Sequence, residues 1–287
     1  MKKRQTYSPY SIGLYVKCAK QYYFEYLDNY TSVYPNKQKI KRIQVEAGKR
    51  RELVFGELLH IVLNLFFHLT EEERSEKKLL ALLKEVWHGP RGKKGGFPEL
   101  KDEREWYQEA LDILKKFSQT QDLSPTIAYL PEIEKEGEFV DANFLKVPLQ
   151  TDIILAGKID RIDKDSPAGY HLIDHKTGKS ERDDEFQLMV YSILAEGALG
   201  KPPTKASYLY LRSGNLKSFQ PNKEAKADAK ARVLKIAEQI KNDKEFPPHP
   251  TRICYYCNYV EFCPAKKEVK KLIAEYKGKD KVADLPF

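Results

Sequence analysis

The sequence has no long apolar run. The longest apolar stretch, at residues 58–67, is too short and too often interrupted by polar side chains to cross a bilayer, so we expect no membrane segment. The first thirty residues lack the apolar core of a signal peptide. The sequence also has no internal repeat of the kind that would indicate a solenoid. We therefore expect a cytosolic (cytoplasmic) globular protein.

Cysteine is scarce as well: the 287 residues contain four, at positions 18, 254, 257 and 263. The last three form a C-x2-C-x5-C run, whereas Cys18 stands alone near the other end. In a reducing compartment, four cysteines favour metal ligation over disulfides. If all four meet at one metal centre, the two ends are stapled together and the residues between them must fold as one unit. Zinc and an iron–sulfur cluster both remain open at this point.

The composition favours a folded protein with a basic surface. Hydrophobic residues make up 41% of the chain, which is enough for a core, and the formal net charge is +8. A basic excess favours nucleic acid as a partner, although a solvated basic surface would give the same balance.

Hydrophobic periodicity predicts helices followed by strands and then both alternating. The predicted helices cover 8–30, 50–69, 76–88, 102–118, 183–198 and 223–243, with a short final helix. The predicted strands cover 127–140, 143–150, 152–163, 169–176, 205–212 and 215–220. This order indicates an α/β fold with a central mixed sheet.

Two predicted strands carry a pattern typical of a catalytic site. Side chains alternate along a strand, so Asp174 and Lys176 share one face of the strand at 169–176. The preceding strand presents Asp160, and a turn at 166–169 brings the two carboxylates together. Paired carboxylates repel each other unless a cation such as Mg²⁺ or Mn²⁺ lies between them. With a lysine to orient or deprotonate water, the set suits phosphodiester hydrolysis, although a surface ion pair would give the same local pattern.

These residues resemble the motifs of the PD-(D/E)xK nuclease superfamily, and in particular RecB-type nuclease domains and CRISPR-associated RecB-like exonucleases. His60 in FGELLHIVL is similar to the helix histidine of that metal site, and Gln187 and Tyr191 in FQLMVY are similar to the Q-x3-Y element. The four cysteines, with Pro264 after the last, are similar to the ligands of the iron–sulfur subgroup. Ala19 stands where proline commonly follows the first cysteine, at a position that needs no ligand chemistry.

The resemblance, which covers roughly residues 7–266, implies a role for each residue. It implies a metal site of His60, Asp160, Asp174 and the backbone carbonyl of His175. Lys176 would position the attacking water, and Gln187 and Tyr191 would contact DNA or support the site. Cys18, Cys254, Cys257 and Cys263 would bind a structural 4Fe–4S cluster.

The resemblance also implies a fold and an activity. We expect one nuclease domain over 1–287 with a restriction-endonuclease-like core and iron–sulfur-stapled terminal helical segments. Its parts would be a helical part at 1–120, a catalytic sheet at 125–222, a helix and cysteine segment at 223–270 and a tail at 271–287. The expected activity is a metal-dependent DNA exonuclease for single strands or DNA ends in repair. Trimming of CRISPR prespacers and a non-catalytic zinc-stabilised DNA-binding module are the alternatives.

Three further features concern partners. The chain has no P-loop motif, so any unwinding must come from another protein such as a helicase. The basic groups Lys49 to Arg51 and Arg91 to Lys94 could line a path for DNA phosphates, or could equally be solvated. The last four residues, Asp284 to Phe287, resemble the tip of bacterial single-stranded DNA-binding protein tails, which recruit repair enzymes, although the preceding residues are not acidic.

Overall fold

The structure, a computed structural model, describes residues 5–28, 51–89, 92–97, 99–132, 144–166, 169–181 and 184–277. Its α-helices are α1 (Pro9–Lys17), α2 (Ala19–Tyr22), α3 (Arg51–His68), α4 (Glu76–Trp87), α5 (Leu100–Thr120), α6 (Phe186–Leu199), α7 (Lys223–Asn242) and α8 (Lys266–Lys277). Its strands are β1 (Gln5–Tyr7), β2 (Ile127–Tyr129), β3 (Leu145–Gln150), β4 (Ile153–Gly157), β5 (Arg161–Ser166), β6 (Gly169–Lys176), β7 (Pro203–Tyr210) and β8 (Asn215–Phe219).

The strands form two mixed sheets. The smaller sheet has the order β1-β4-β3, in which β1 and β4 are parallel. The larger sheet has the order β2-β5-β6-β7-β8, in which β6 and β7 are parallel and the other neighbours are antiparallel. The α/β class with mixed sheets and helices is therefore confirmed, and it is consistent with a PD-(D/E)xK core.

One predicted strand, at 152–163, is wrong. The chain leaves the smaller sheet at Gly157 and enters the larger sheet only at Arg161, so residues 158–160 belong to neither. Periodicity missed this break because Ile159 is fully buried and continues the apolar alternation across the gap. Asp160 consequently lies in a bend between the sheets rather than within a strand.

The larger sheet separates two hydrophobic layers. Leu172 of β6 and Tyr208 of β7 pack with α6 and α7 on one face. Ile173 of β6 and Leu209 of β7 pack with α3, α4 and α5 on the other face. The predicted alternation of β6 is therefore seen, and it directs Asp174 and His175 to opposite faces.

The predicted helix at 8–30 is interrupted at Cys18. The first turn begins as expected, with Ser8 as the N-cap that accepts a hydrogen bond from the Ser11 N–H, and with Pro9 after it. Cys18 then takes an extended backbone conformation that ends α1, and α2 continues into a π-helix at Tyr23–Leu27. Local pattern could not predict this break, because Cys18 is turned towards residues more than two hundred positions later.

No helix in the described ranges is both long enough and apolar enough to cross a membrane.

We expect His171, a partly buried histidine of β6, to make the protein less stable in acid. Burial, and to a lesser extent the charges of Lys205 and Arg161, lower the pKa of His171 to about 4. The neutral ring lies 2.7 Å from Ser207 Oγ through Nε2. Because the unfolded chain binds a proton near pH 6.5 and the folded chain does so only near pH 4, the free energy of unfolding should fall as pH drops through that window.

Urea unfolding at pH 7.5, 5.5 and 4.5 measures this effect. His171→Gln keeps a hydrogen-bonding group next to Ser207 but does not titrate, so its stability should change less between the three pH values. Equal pH dependence in the two proteins would show that His171 is not responsible.

Candidate active site

The candidate site lies where the chain crosses from one sheet to the other. Asp160 sits in the crossing between β4 and β5, next to the C-terminal end of β6 and the middle of α3. Because α3 packs on one face of the larger sheet and α6 on the other, the site receives side chains from both layers.

Asp160 is held by two donors. Its Oδ1 lies 3.2 Å from Nδ1 of His60, and its Oδ2 accepts a 2.8 Å hydrogen bond from the backbone N–H of His175. Burial alone would raise the pKa of Asp160, but the charge of His60, the contact with it and the His175 N–H together lower that pKa. For His60, burial alone would lower the pKa. The charge of Asp160 outweighs this effect, so the pKa of His60 is raised.

Asp174 belongs to a second, linked group of side chains on the α6 face. Lys176 Nζ lies 2.6 Å from Asp174 Oδ2 and donates a 2.9 Å hydrogen bond to Gln187 Oε1. Gln187 Nε2 in turn donates to Asp174 Oδ1 at 3.2 Å and to the hydroxyl of Tyr191 at 3.1 Å. The i, i+4 spacing of Gln187 and Tyr191 on α6 places both next to the same carboxylate.

The two groups also interact through their charges. Burial raises the pKa of Asp174, the ammonium of Lys176 opposes this, and the negative charge of Asp160 adds to the increase. The repulsion that Asp160 exerts on the Asp174 carboxylate would be relieved by a cation bound between them. Burial lowers the pKa of His175 to about 3, so its imidazole is neutral at physiological pH.

Three of the polar side chains at the site lie close enough together to bind one metal ion, and Asp174 is not among them. Ligand atoms of His60, Asp160 and His175 lie within 4.8 Å of one another, and this is the only such histidine, cysteine and acid group within the described ranges. Asp174 is outside that group, and its carboxylate contacts Lys176 and Gln187 instead. The sharing of one ion by Asp160 and Asp174 stays a prediction, as does the ligation by the His175 carbonyl.

A glycine in β4 lets α6 approach closely enough to place Tyr191. A Cβ atom on Gly157 would lie 2.7 Å from Leu194 Cδ1 and 3.1 Å from Tyr191 Cε1, closer than normal packing allows. A similar approach brings α3 to the end of β6, where a Cβ on Gly56 would lie 2.8 Å from Thr177 Oγ1. The absence of a side chain at Gly157 and Gly56 thus allows α6 to lie close to β4, and α3 to lie close to the residue that follows β6.

We expect Gly157→Ala to lower the rate of DNA cleavage by more than the loss of folded protein would explain. The added methyl group should push Tyr191 away from β4 and disturb its hydrogen bond with Gln187, which holds Asp174 and Lys176. We expect a loss of roughly 1–3 kcal/mol in unfolding free energy, typical of an overpacked core, and a fall in turnover that exceeds the unfolded fraction. Gly13→Ala is the matched control, since a Cβ there meets nothing within 4 Å. Equal turnover in both variants would contradict this role for Gly157.

Sequence reasoning missed two residues that support the site. The ring of Tyr208 lies 5.0 Å from Lys176 Nζ, and its hydroxyl donates to the Asp184 carbonyl at 3.0 Å. Arg212 Nε donates to the Thr177 carbonyl at 2.8 Å and so fixes the backbone next to Lys176. Neither carries a local signal, because only the parallel pairing of β6 with β7 brings these segments to Lys176.

The four cysteines line one cavity of about 210 Å³. It brings the break after α1 next to the segment of residues 248–263, and the rings of Phe24 and Tyr259 stack at 5.4 Å beside it. Backbone N–H groups of His249, Thr251 and Tyr259 each donate to a cysteine sulfur at 3.4 Å, those of Cys18, Cys254 and Cys257 respectively. Segments from the N-terminal and C-terminal parts of the described chain are therefore in contact at this cavity.

The sulfurs stand apart within the cavity. No three of them lie within 4.8 Å of one another in the described chain, whereas tetrahedral zinc with bonds of about 2.3 Å would hold sulfurs roughly 3.8 Å apart. Burial raises the pKa of Cys257 to about 12 and also raises that of Cys254. A metal centre that takes thiolates here must therefore displace protons.

Only part of the predicted basic path for DNA can be located. Lys49, Arg50, Arg91 and the last four residues lie outside the described residues. Arg51 is described, and its guanidinium lies 3.8 Å from the Asp102 carboxylate and 5.7 Å from the Trp106 ring.

Comparison with known families decides the relationship. The profile of the PD-(D/E)XK nuclease superfamily matches residues 6–264, which is most of the chain. The chain belongs to the PD-(D/E)XK nuclease superfamily. Members are typically metal-dependent nucleases, so a nuclease that uses a divalent metal is the activity indicated for this chain.

No curated protein matches this chain. Among solved structures, one described as "Crystal structure of SSO0001" is 17% identical and covers 73% of this chain and 85% of that one, with a TM-score of 0.27.

Proposed function

We propose that this PD-(D/E)XK protein is a DNA exonuclease of the RecB-like type, which uses Mg²⁺ or Mn²⁺ to remove nucleotides from single strands or DNA ends during repair. One observation carries the proposal. Asp160 with His60, and Asp174 with Lys176 and Gln187, meet at the crossing between two sheets. Two carboxylates, an imidazole and an ammonium at one place suit phosphodiester hydrolysis better than a purely structural role.

The charge of the chain supports a nucleic-acid substrate. The formal net charge is +8, and a polyanion is attracted to such a protein by release of its counterions. Because the sequence has no P-loop motif, we propose that a separate helicase supplies single strands where duplex is the starting material.

The donor set fits a divalent ion. We propose that Asp160, Asp174 and His60 bind it, with the carbonyl of His175 as a further ligand. A bound ion would activate water and neutralise charge on the phosphate. The protein contributes an ionised Asp160, whose carboxylate is oriented by His60 and by the His175 N–H.

Lys176 would position the attacking water and stabilise the charged phosphate. Its ammonium is held between Asp174 and Gln187, and its side chain is only 14% exposed, so it has little freedom to leave the site. A fixed charge in a partly dry place loses little energy to reorganisation when negative charge develops. Gln187, which also contacts Tyr191, would hold Lys176 and Asp174 in these positions.

The cavity of four cysteines supports a structural iron–sulfur cluster as a second cofactor. Each iron of a 4Fe–4S cluster takes its own cysteine, so the sulfurs stand farther apart than around a single zinc ion. The cavity that all four cysteines line would supply the four thiols that such a cluster needs. The three backbone N–H groups that point at sulfur would stabilise the thiolates.

A cleavage assay tests the proposal. A linear single strand labelled at either end and a circular strand of the same composition are incubated with the protein in Mg²⁺, in Mn²⁺ or in chelator. We expect loss of the linear strand with either metal, none with chelator, and an intact circle. Cutting of the circle would indicate an endonuclease, and inertness toward both substrates in both metals would contradict the nuclease assignment. The order in which labelled products appear gives the polarity.

A further inference from the structure

We propose that the imidazole of His175 is an additional nitrogen ligand of the divalent metal centre, on the α3 side of the sheet. The motif resemblance gives this position only a backbone carbonyl, and the proposal rests on the proposed function insofar as that function places a metal at Asp160. Three observations on the described residues carry it.

The first observation is proximity. A ring nitrogen of His175, a ring nitrogen of His60 and a carboxylate oxygen of Asp160 all lie within 4.8 Å of one another. The two rings have centroids 6.0 Å apart at an angle of 54°, so they face a shared space rather than stack. Small side-chain rotations would bring such atoms to the roughly 2.0–2.2 Å ligand distances of a first-row ion.

The second observation is an unsatisfied atom. His175 is 4% exposed, and its Nε2 has no hydrogen-bond partner among the described residues. A buried polar atom of this kind costs free energy unless something binds it. The other histidine of β6 is partly buried and behaves differently, since His171 uses its Nε2 to contact Ser207.

The third observation is that the polar groups on the two faces of β6 have different contacts. On the α6 face, Lys176 and Gln187 occupy the Asp174 carboxylate. On the α3 face, the His175 backbone N–H already orients Asp160, so the ring of the same residue is anchored next to that carboxylate. His175 therefore combines a fixed backbone position with a ring nitrogen, Nε2, that meets no hydrogen-bond partner in the described part of the chain.

The chemistry of this donor set bears on which metal is bound. Mg²⁺ prefers oxygen ligands and octahedral geometry, whereas imidazole nitrogens suit first-row transition ions. A centre with two imidazoles among its ligands should therefore bind Mn²⁺ more tightly than Mg²⁺. Without the His175 ring, that preference should shrink.

Binding of Mn²⁺ to the full chain tests the proposal independently of activity. Calorimetry gives the affinity, and pulsed electron paramagnetic resonance detects imidazole nitrogen coupled to bound Mn²⁺. We expect two coupled nitrogens in the wild type and one in His175→Phe, with Mn²⁺ affinity lower by about 10–100-fold. Metal-free His175→Phe should melt no lower than the wild type, because it loses an unpartnered buried nitrogen. His171→Gln is the control on the same strand and should match the wild type.

Two results would overturn the proposal. One is a His175→Phe protein with unchanged Mn²⁺ affinity and unchanged nitrogen coupling, and the other is a wild type that binds no Mn²⁺. If His175→Phe does not fold, His175→Gln serves instead, and it must also lose one coupled nitrogen. A wild type that binds Mn²⁺ through two nitrogens but cleaves no DNA would leave this inference standing while the proposed function fails.

Discussion

Lys176→Met should reduce DNA cleavage by about 10²–10⁴-fold, the range for loss of a positioned acid–base group. Methionine keeps the apolar part of the side chain but removes the ammonium that lies 2.6 Å from Asp174 and 2.9 Å from Gln187. Burial raises the pKa of Asp174 and Lys176 opposes this, so without Lys176 the Asp174 carboxylate should bind a proton more readily. Initial rates on labelled single strands at saturating metal measure the effect.

The control for Lys176→Met is Lys226→Met. Lys226 is buried to nearly the same degree, with 13% of its side chain exposed against 14% for Lys176, and it pairs with Glu196 on α6. The Lys226→Met variant therefore removes an ammonium that is about as buried as that of Lys176 but is paired with Glu196 instead of the site residues. We expect Lys226→Met to lower the melting temperature while keeping its rate. If Lys176→Met cleaves at the wild-type rate, Lys176 has no part in the chemistry.

Cys257→Ala should lose the cluster and most of the folded protein together. Protein purified without oxygen should be brown, with the broad absorbance near 400 nm expected of thiolate-ligated iron. The variant should be colourless and prone to aggregate. The effect on stability should be large because ligand bonds made only in the folded state contribute directly to the free energy of unfolding. The cavity joins Cys18 to the segment of residues 248–263, so loss of the cluster should release these two segments from each other.

Ile253→Ala separates loss of the cluster from loss of packing. Ile253 lines the same cavity without supplying a sulfur, so the variant should keep its colour and lose only the few kcal/mol typical of a shortened apolar side chain. Metal analysis of the wild type completes the test. A colourless protein with one zinc per chain would contradict the iron–sulfur proposal and would support a zinc-stabilised fold.

Much of the local structure could be predicted from the sequence. The helices at 50–69, 76–88 and 223–243 were predicted within one residue at each end, because each has an apolar stripe at helical period and clear flanking signals. The alternation along β6 was enough to separate Asp174 and Lys176 from His175. These features depend on neighbours a few residues apart, which the sequence displays directly.

Other features escaped local pattern for identifiable reasons. The strand β1 is three residues long and exists only because it pairs with β4, which lies more than a hundred residues away. The helix at 8–30 is interrupted because Cys18 faces the C-terminal segment. The apolar alternation through Ile159 hides the crossing between the two sheets.

By itself, the sequence determined which side chains could do chemistry: the acids, the lysine, the histidines and the four thiols, with their spacing along helices and strands. Only the tertiary structure decided how they meet. It placed Asp160 in a gap between two sheets, gave the carboxylate of Asp174 to Lys176 and Gln187, and brought the ring of His175 to His60. The reason is physical: spacing along one element is fixed by backbone geometry, whereas distances between elements depend on how separate segments pack.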